Sequence, residues 1–177
     1  WDVSTLIKSL HKQLVHAGVP FEILCFDDCA NSIHRAKNET VNALENVRYT
    51  VNANSYGRSK NRNELAYASC KNYLLFLDGD AGIEKNETFI ANFLASAEPN
   101  QVVCGGTAYE SVAPTDTRFL LRYLYGKKRE EKAASIRQLE PWNGFSAFNF
   151  LIPRNIFLEL KFDENLSEYG HEDTIFG

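Results

Sequence analysis

Five consecutive apolar residues, Tyr73-Leu74-Leu75-Phe76-Leu77, run straight into Asp78-Gly79-Asp80. A run this short, apolar on both faces and closed by a turn signal, reads as a buried β-strand. A second run, Phe21-Glu22-Ile23-Leu24-Cys25-Phe26, ends the same way in Asp27-Asp28. Around these strands the apolar period changes from two to that of a helix. Val3, Leu6, Ile7, Leu10, Leu14 and Val15 mark a helix over Val3 to Ala17, stopped by Gly18 and Pro20. Ser32 to Leu44 reads as a second helix. Lys60 to Ser69 reads as a third, with Ser59 as its cap, and Asn86 to Ala97 as a fourth with Phe89, Ile90, Phe93 and Leu94 on one face. Val47 to Val51 and Gln101 to Cys104 supply further strands, the latter closed by Gly105-Gly106. The alternation predicts an α/β fold with a mixed, mostly parallel central sheet flanked by helices. Such sheets bind ligands beyond the carboxyl ends of their strands, where both acidic groups fall.

The bulk numbers narrow the possibilities. A length of 177 residues suits one domain. With 19 basic against 23 acidic residues the net charge is −4, which excludes a general nucleic-acid binder. No stretch approaches the roughly 18 apolar residues of a membrane helix. Cys25, Cys29, Cys70 and Cys104 lack the paired spacing of a zinc site, so reduced, structural thiols and a reducing compartment are expected. The sequons at Asn38, Asn86 and Asn165 are no more than an Asn-, Ser- and Thr-rich chain produces by chance. A chain that opens on Trp1 and contains no Met is expected to be part of a longer protein.

After Gly106 the alternation lapses. Thr117 to Leu139 mixes aromatics with the run Lys127-Lys128-Arg129-Glu130-Glu131-Lys132, expected as a solvated helix face or surface loop. Phe145 to Ile152 reads as another strand, ended by Pro153. Phe162-Asp163-Glu164-Asn165 is turn-like.

Four groups of residues could carry chemistry. Asp78 and Asp80, one residue apart on a strand-end loop, can converge on a hard cation such as Mg²⁺ or Mn²⁺ that neutralises a diphosphate; the bland alternative is an acidic turn bonding its own backbone. Asp27 and Asp28 can accept hydrogen bonds from a base or ribose, or simply cap a helix. In His171-Glu172-Asp173 an acid could act as general base and the histidine as metal ligand or proton carrier, or the acids could serve a helix N-terminus. Arg58, Lys60 and Arg62 follow Gly57 where phosphate or carbonyl contacts are plausible, or form ordinary helix surface.

In register these segments resemble the inverting family 2 glycosyltransferases of GT-A fold, the bacterial-type nucleotide-sugar transferases. Phe21 through Asn31 is similar to the family's strand ending in two aspartates. Asn54 through Asn63 is similar to its Asn-x-x-Gly to Arg-Asn segment, and Tyr73 through Asp80 to its D-x-D strand. Phe148-Asn149-Phe150-Leu151-Ile152-Pro153-Arg154, Phe162-Asp163-Glu164 and Tyr169-Gly170-His171-Glu172-Asp173 are similar to the acceptor-side strand and Glu-Asp motif. The resemblance implies a catalytic domain over 1–177, with a nucleotide-sugar part in 1–106 and an acceptor part in 107–177. It implies that Asp28 contacts the base, expected to be the uracil of a UDP-sugar, with Asp27 beside it. Arg58 or Arg62 would serve base or phosphates, Asp78 the ribose and metal, and Asp80 the metal, Mn²⁺ or Mg²⁺. Asp173 would be the catalytic base and Glu172 its acceptor-side support, with Trp142 and His171 on the acceptor side. A hexosyl transfer to a glycan or glycolipid hydroxyl, in polysaccharide or glycoconjugate synthesis, is expected, with the chain cytoplasmic or held peripherally at the inner face of a membrane. The family's first strand and the chain beyond its Glu-Asp motif have no counterpart here, so the domain is expected to be incomplete at both ends. Two alternatives remain: a sugar-nucleotide-binding protein without activity, and a phospho-acceptor receiver-type signalling domain, which would leave Asp80 and the Glu-Asp motif unexplained.

Overall fold

A computed structural model describes residues 1–141, 145–166 and 172–177. Helix α1 (Ser4–Ala17) opens the fold, burying Leu6 and Ile7. Asp2 caps it by accepting hydrogen bonds from the Ser4 backbone N–H (3.1 Å) and hydroxyl (2.7 Å). Strand β1 (Ile23–Asp27) runs parallel to β2 (Val47–Val51), with Asp27 opposite Val51. Between them the single helix expected over Ser32 to Leu44 is divided into α2 (Arg35–Glu39) and a 3-10 turn at Thr40–Ala43. Side chains compete with the helical ladder there. The Thr40 hydroxyl donates to the Lys37 carbonyl (2.7 Å), and Asn42 pairs with the Tyr49 backbone, accepting from its N–H at 2.7 Å.

Helix α3 (Gly57–Ala68) leads to strand β3 (Tyr73–Leu77). Helix α4 (Phe89–Ala95) and strand β4 (Val103–Cys104) follow. Phe89, Ile90 and Phe93 are buried as the spacing predicts, but Leu94 is 41% exposed because the helix meets α1 along a narrower stripe. A 3-10 turn (Thr117–Phe119), α5 (Leu120–Arg129) and α6 (Ala134–Arg137) occupy the segment expected as solvated helix or loop. Strand β5 (Asn149–Pro153), α7 (Arg154–Leu160) and α8 (Glu172–Phe176) complete the chain.

The expected mixed α/β class is present, and its pairing is specific. Strand β5 lies between β3 and β4, antiparallel to both, so β3 and β4 point the same way. All five residues of β5 are buried, as a central strand requires. Pro153 sits at its last position, where the missing N–H costs no ladder bond, and Arg154 N–H donates to the Asn72 carbonyl (2.8 Å).

Phe76, Phe150, Phe157 and Phe162 form an aromatic core beneath β3 and β5, and Phe176 of α8 stacks on Phe162 with centroids 4.2 Å apart. A second cluster joins α1, α4 and Leu151, and a third joins α1 to β1 and β2. All four cysteines are free. Burial pushes the Cys25 thiol up to about 12, suiting it to packing rather than thiolate chemistry. No described helix is long and apolar enough to cross a membrane.

Candidate active site

Helix α3 begins where β1 ends. The sequence makes Ser59 its cap; instead Ser59 lies inside its first turn, buried, its hydroxyl without a partner among the described residues. Capping comes from Asp28. Its carboxylate accepts from the backbone N–H groups of Tyr56 (2.7 Å) and Gly57 (2.8 Å), the Ser55 hydroxyl (2.8 Å) and the Asn52 amide (3.0 Å). A remote acceptor lets the helix start three residues earlier, at Gly57 rather than Lys60, and Gly57 adopts φ 74°, where a side chain would be strained. Burial raises the Asp28 carboxyl, but these four donors outweigh it and hold the group below its ordinary value. Asp27 accepts from Cys29 N–H (3.0 Å) and from the Tyr49 hydroxyl. Burial and that bond push the Tyr49 hydroxyl well above the usual phenol range.

Asn52, Asn61 and Asn63, the last two inside the Asn54-to-Asn63 segment but given no role of their own by the sequence, organise this region. Asn52 also donates to Asn61 (2.9 Å), and Asn61 to the Phe26 carbonyl at the end of β1 (3.0 Å). Buried Asn63 both donates to the Phe162 carbonyl (2.9 Å) and accepts from its N–H (3.0 Å), tying α3 to the 162–164 turn. Three asparagines on or before a helix were the available signal, since such residues favour caps and turns over helix interiors.

Arg58 and Arg62 stand one turn apart on α3, and each reaches a different acidic motif. Arg62 donates to Asp78 (2.9 Å) from a nearly buried guanidinium that also lies over the Phe162 ring at 5.1 Å. Its other terminal nitrogen is buried without a hydrogen-bond partner among the described residues. Arg58 pairs with buried Glu172 at 3.3 Å, joining α3 to α8. Asp78 continues from β3, its N–H donating to the Phe148 carbonyl (3.0 Å). Burial raises its carboxyl above the ordinary value; the Asp80 charge adds to this, and Arg62 and Arg58 oppose it. Asp80 is exposed and accepts no hydrogen bond from a described residue.

Asp173 follows Glu172 in the first turn of α8. One of its oxygens accepts from Ala147 N–H (3.0 Å), and the other is buried without a described partner. The docked Phe176 ring holds this short helix in place. Trp142 and His171 lie outside the described residues, as do Tyr169 and Gly170.

The structure therefore brings Arg58, Arg62, Asp78, Glu172 and, through charge, Asp80 into one neighbourhood at the carboxyl end of β3, with Asp173 adjacent in sequence to Glu172. Asp27 and Asp28 stand behind the loop that leads into Arg58. Among the described residues no three His, Cys, Asp or Glu side chains converge on a cation position. Two carboxylates suffice when substrate phosphates and water complete an oxygen shell, so Asp78 and Asp80 fit a hard divalent cation only together with a phosphorylated ligand.

No curated protein matches the chain. The family model for glycosyl transferase family 2 matches residues 3–160, which include Asp27, Asp28, Arg58, Arg62, Asp78 and Asp80 and stop short of Glu172 and Asp173. With that match over most of its length, and an α/β fold that gathers the acids and arginines at one strand end, the chain belongs to glycosyl transferase family 2.

Proposed function

We propose that this glycosyltransferase moves a hexosyl group from a UDP-linked sugar to a hydroxyl of a glycan or glycolipid acceptor, with inversion, in polysaccharide or glycoconjugate synthesis. Residues 1–106 hold the donor and 107–177 the acceptor. The observation that carries the reading is Arg62, with one guanidinium nitrogen on Asp78 and the other buried and without a hydrogen-bond partner among the described residues, a donor suited to a phosphate oxygen. Asp27 and Asp28 hold the base-side loop, and Arg58 and Arg62 face the diphosphate. Asp78 and Asp80 hold Mn²⁺ or Mg²⁺; when bound, the cation offsets charge on the leaving nucleoside diphosphate.

Asp173 is the general base. Its anchored oxygen fixes the carboxylate, leaving the other to accept the acceptor hydroxyl's proton. The hydroxyl oxygen bonds to the anomeric carbon as the bond from that carbon to the diphosphate breaks, and the nucleoside diphosphate leaves with the electron pair. One displacement inverts the centre. Glu172 holds Arg58 and hence α8 against α3.

Release of nucleoside diphosphate from a panel of nucleotide sugars, with and without Mn²⁺ or Mg²⁺, tests this. Metal-dependent turnover is expected; Asp80→Ala removes the metal gain, and Asp173→Asn lowers turnover about 10²–10⁴-fold while nucleotide binding persists. Metal-independent nucleotide binding without turnover of any donor would overturn it in favour of a sugar-nucleotide-binding protein.

A further inference from the structure

Helix α5, Leu-Leu-Arg-Tyr-Leu-Tyr-Gly-Lys-Lys-Arg, is seated with its polarity reversed. A surface helix ordinarily turns its apolar stripe inward. Here the inward side is polar. Tyr109 packs on Gly126 so closely that any Cβ there would overlap its ring, and its hydroxyl donates to Glu130. Tyr109 N–H donates to Glu131 (2.8 Å), and the Tyr123 hydroxyl to the Glu110 carbonyl (2.8 Å). The outward side carries Leu121, Leu124 and Tyr125, spaced three and four residues apart and 80%, 54% and 57% exposed. Arg122 and Arg129 lie along one side of that stripe and Lys128 continues it by one turn, all three exposed. The helix has four basic residues and no acidic one, in a chain of net charge −4. Glu130 holds Arg122 (3.0 Å) and Glu131 holds Lys127 (2.9 Å), which leaves Lys128 and Arg129 without an ion pair among the described residues.

We infer that α5 docks on an anionic lipid surface, with Leu121, Leu124 and Tyr125 entering the headgroup boundary and Lys128 and Arg129 meeting lipid phosphates. An exposed apolar stripe with a basic rim has the chemistry of an interfacial helix, and Tyr suits that boundary. A second copy of the chain fits less well: three side chains on one helix fall far short of the roughly 800 Å² per partner of a stable dimer. The inference uses no part of the donor or metal proposal, so the two fail separately.

The test is co-sedimentation of the unliganded chain with vesicles of phosphatidylcholine alone or mixed with phosphatidylglycerol, at low and high salt. Binding to the mixed vesicles is expected, weakened at high salt. Lys128→Glu with Arg129→Glu lowers the partition coefficient about tenfold or more, and Leu121→Glu with Leu124→Glu does the same. All four positions are exposed, and unchanged circular dichroism confirms folding. Absence of vesicle binding, equal binding to neutral and mixed vesicles, or unaltered binding by both variants would overturn the inference. So would light scattering that finds a dimer dispersed by Leu121→Glu, which would assign the stripe to a second copy.

Discussion

Helices α5 and α8 carry similar large side chains to opposite fates. The five-residue α8 places Phe176 against Phe145, Phe150, Phe157 and Phe162. The ten-residue α5 leaves Leu121 and Leu124 in solvent. A single turn and a half of isolated helix is unstable in water, so α8 exists because its aromatic ring is captured by the core. The difference teaches that burial here follows from what the neighbouring backbone offers. Strands β3 and β5 present an aromatic floor, whereas the 109–110 segment presents hydrogen-bonding partners and draws the polar side of α5 inward.

The sharpest way to break that comparison is at the floor. Phe157 is fully buried, with its ring 4.8 Å from Phe76. Phe157→Ala is expected to cost about 3–5 kcal/mol in urea unfolding, a large share of a domain's stability, and to reduce turnover by loosening α8 and Asp173. A loss under about 1 kcal/mol would mean that the floor does not hold α8.

Asp28 gives an intermediate effect with a pH signature. Its carboxyl is held below the ordinary value, so the stability it contributes is complete above the unfolded carboxyl's pKa. That stability is lost as pH falls through the lower folded value. Asp28→Asn should therefore cost about 1–2 kcal/mol at neutral pH and flatten the acid limb of the stability curve, as followed by thermal melts. An acid limb unchanged in the variant would move the titrating group elsewhere. Smallest of all is Leu121→Ser, expected to change unfolding free energy by less than about 0.5 kcal/mol, because the side chain is already in water. A larger loss would show α5 packed in solution.

The strands, their succession along the chain and the acidic groups at their carboxyl ends were legible because each rests on local period and turn chemistry; the pairing of β5 between β3 and β4, antiparallel to both, was not. Less legible were contacts that close over long separations. Nothing near Asp28 announces that its donors lie 24 to 29 residues away, and nothing near Asn63 announces the turn 99 residues on. Leu94 matched the apolar face of its helix and is exposed nonetheless, because periodicity records which side a residue faces and not how wide the neighbour is. Asp27, Asp28, Arg58, Arg62, Asp78, Asp80, Glu172 and Asp173 were all visible as candidates. What the sequence withheld was their division of labour: Asp28 engaged by a helix start, and the two arginines each claimed by a different acid.

The position of β5 has a bearing on how the chain acquires its shape. Strands β3 and β4 share no hydrogen bond with each other; both pair with a strand that comes after them in sequence. During synthesis from the N-terminus, the three-stranded sheet therefore has nothing to zip onto until Asn149–Pro153 is made. Early-formed β3 must wait with both edges open, which lengthens the average loop that folding has to close and slows the search. Pulse-labelled hydrogen exchange should find the amides of Tyr73–Leu77 gaining protection together with those of β5, not before them.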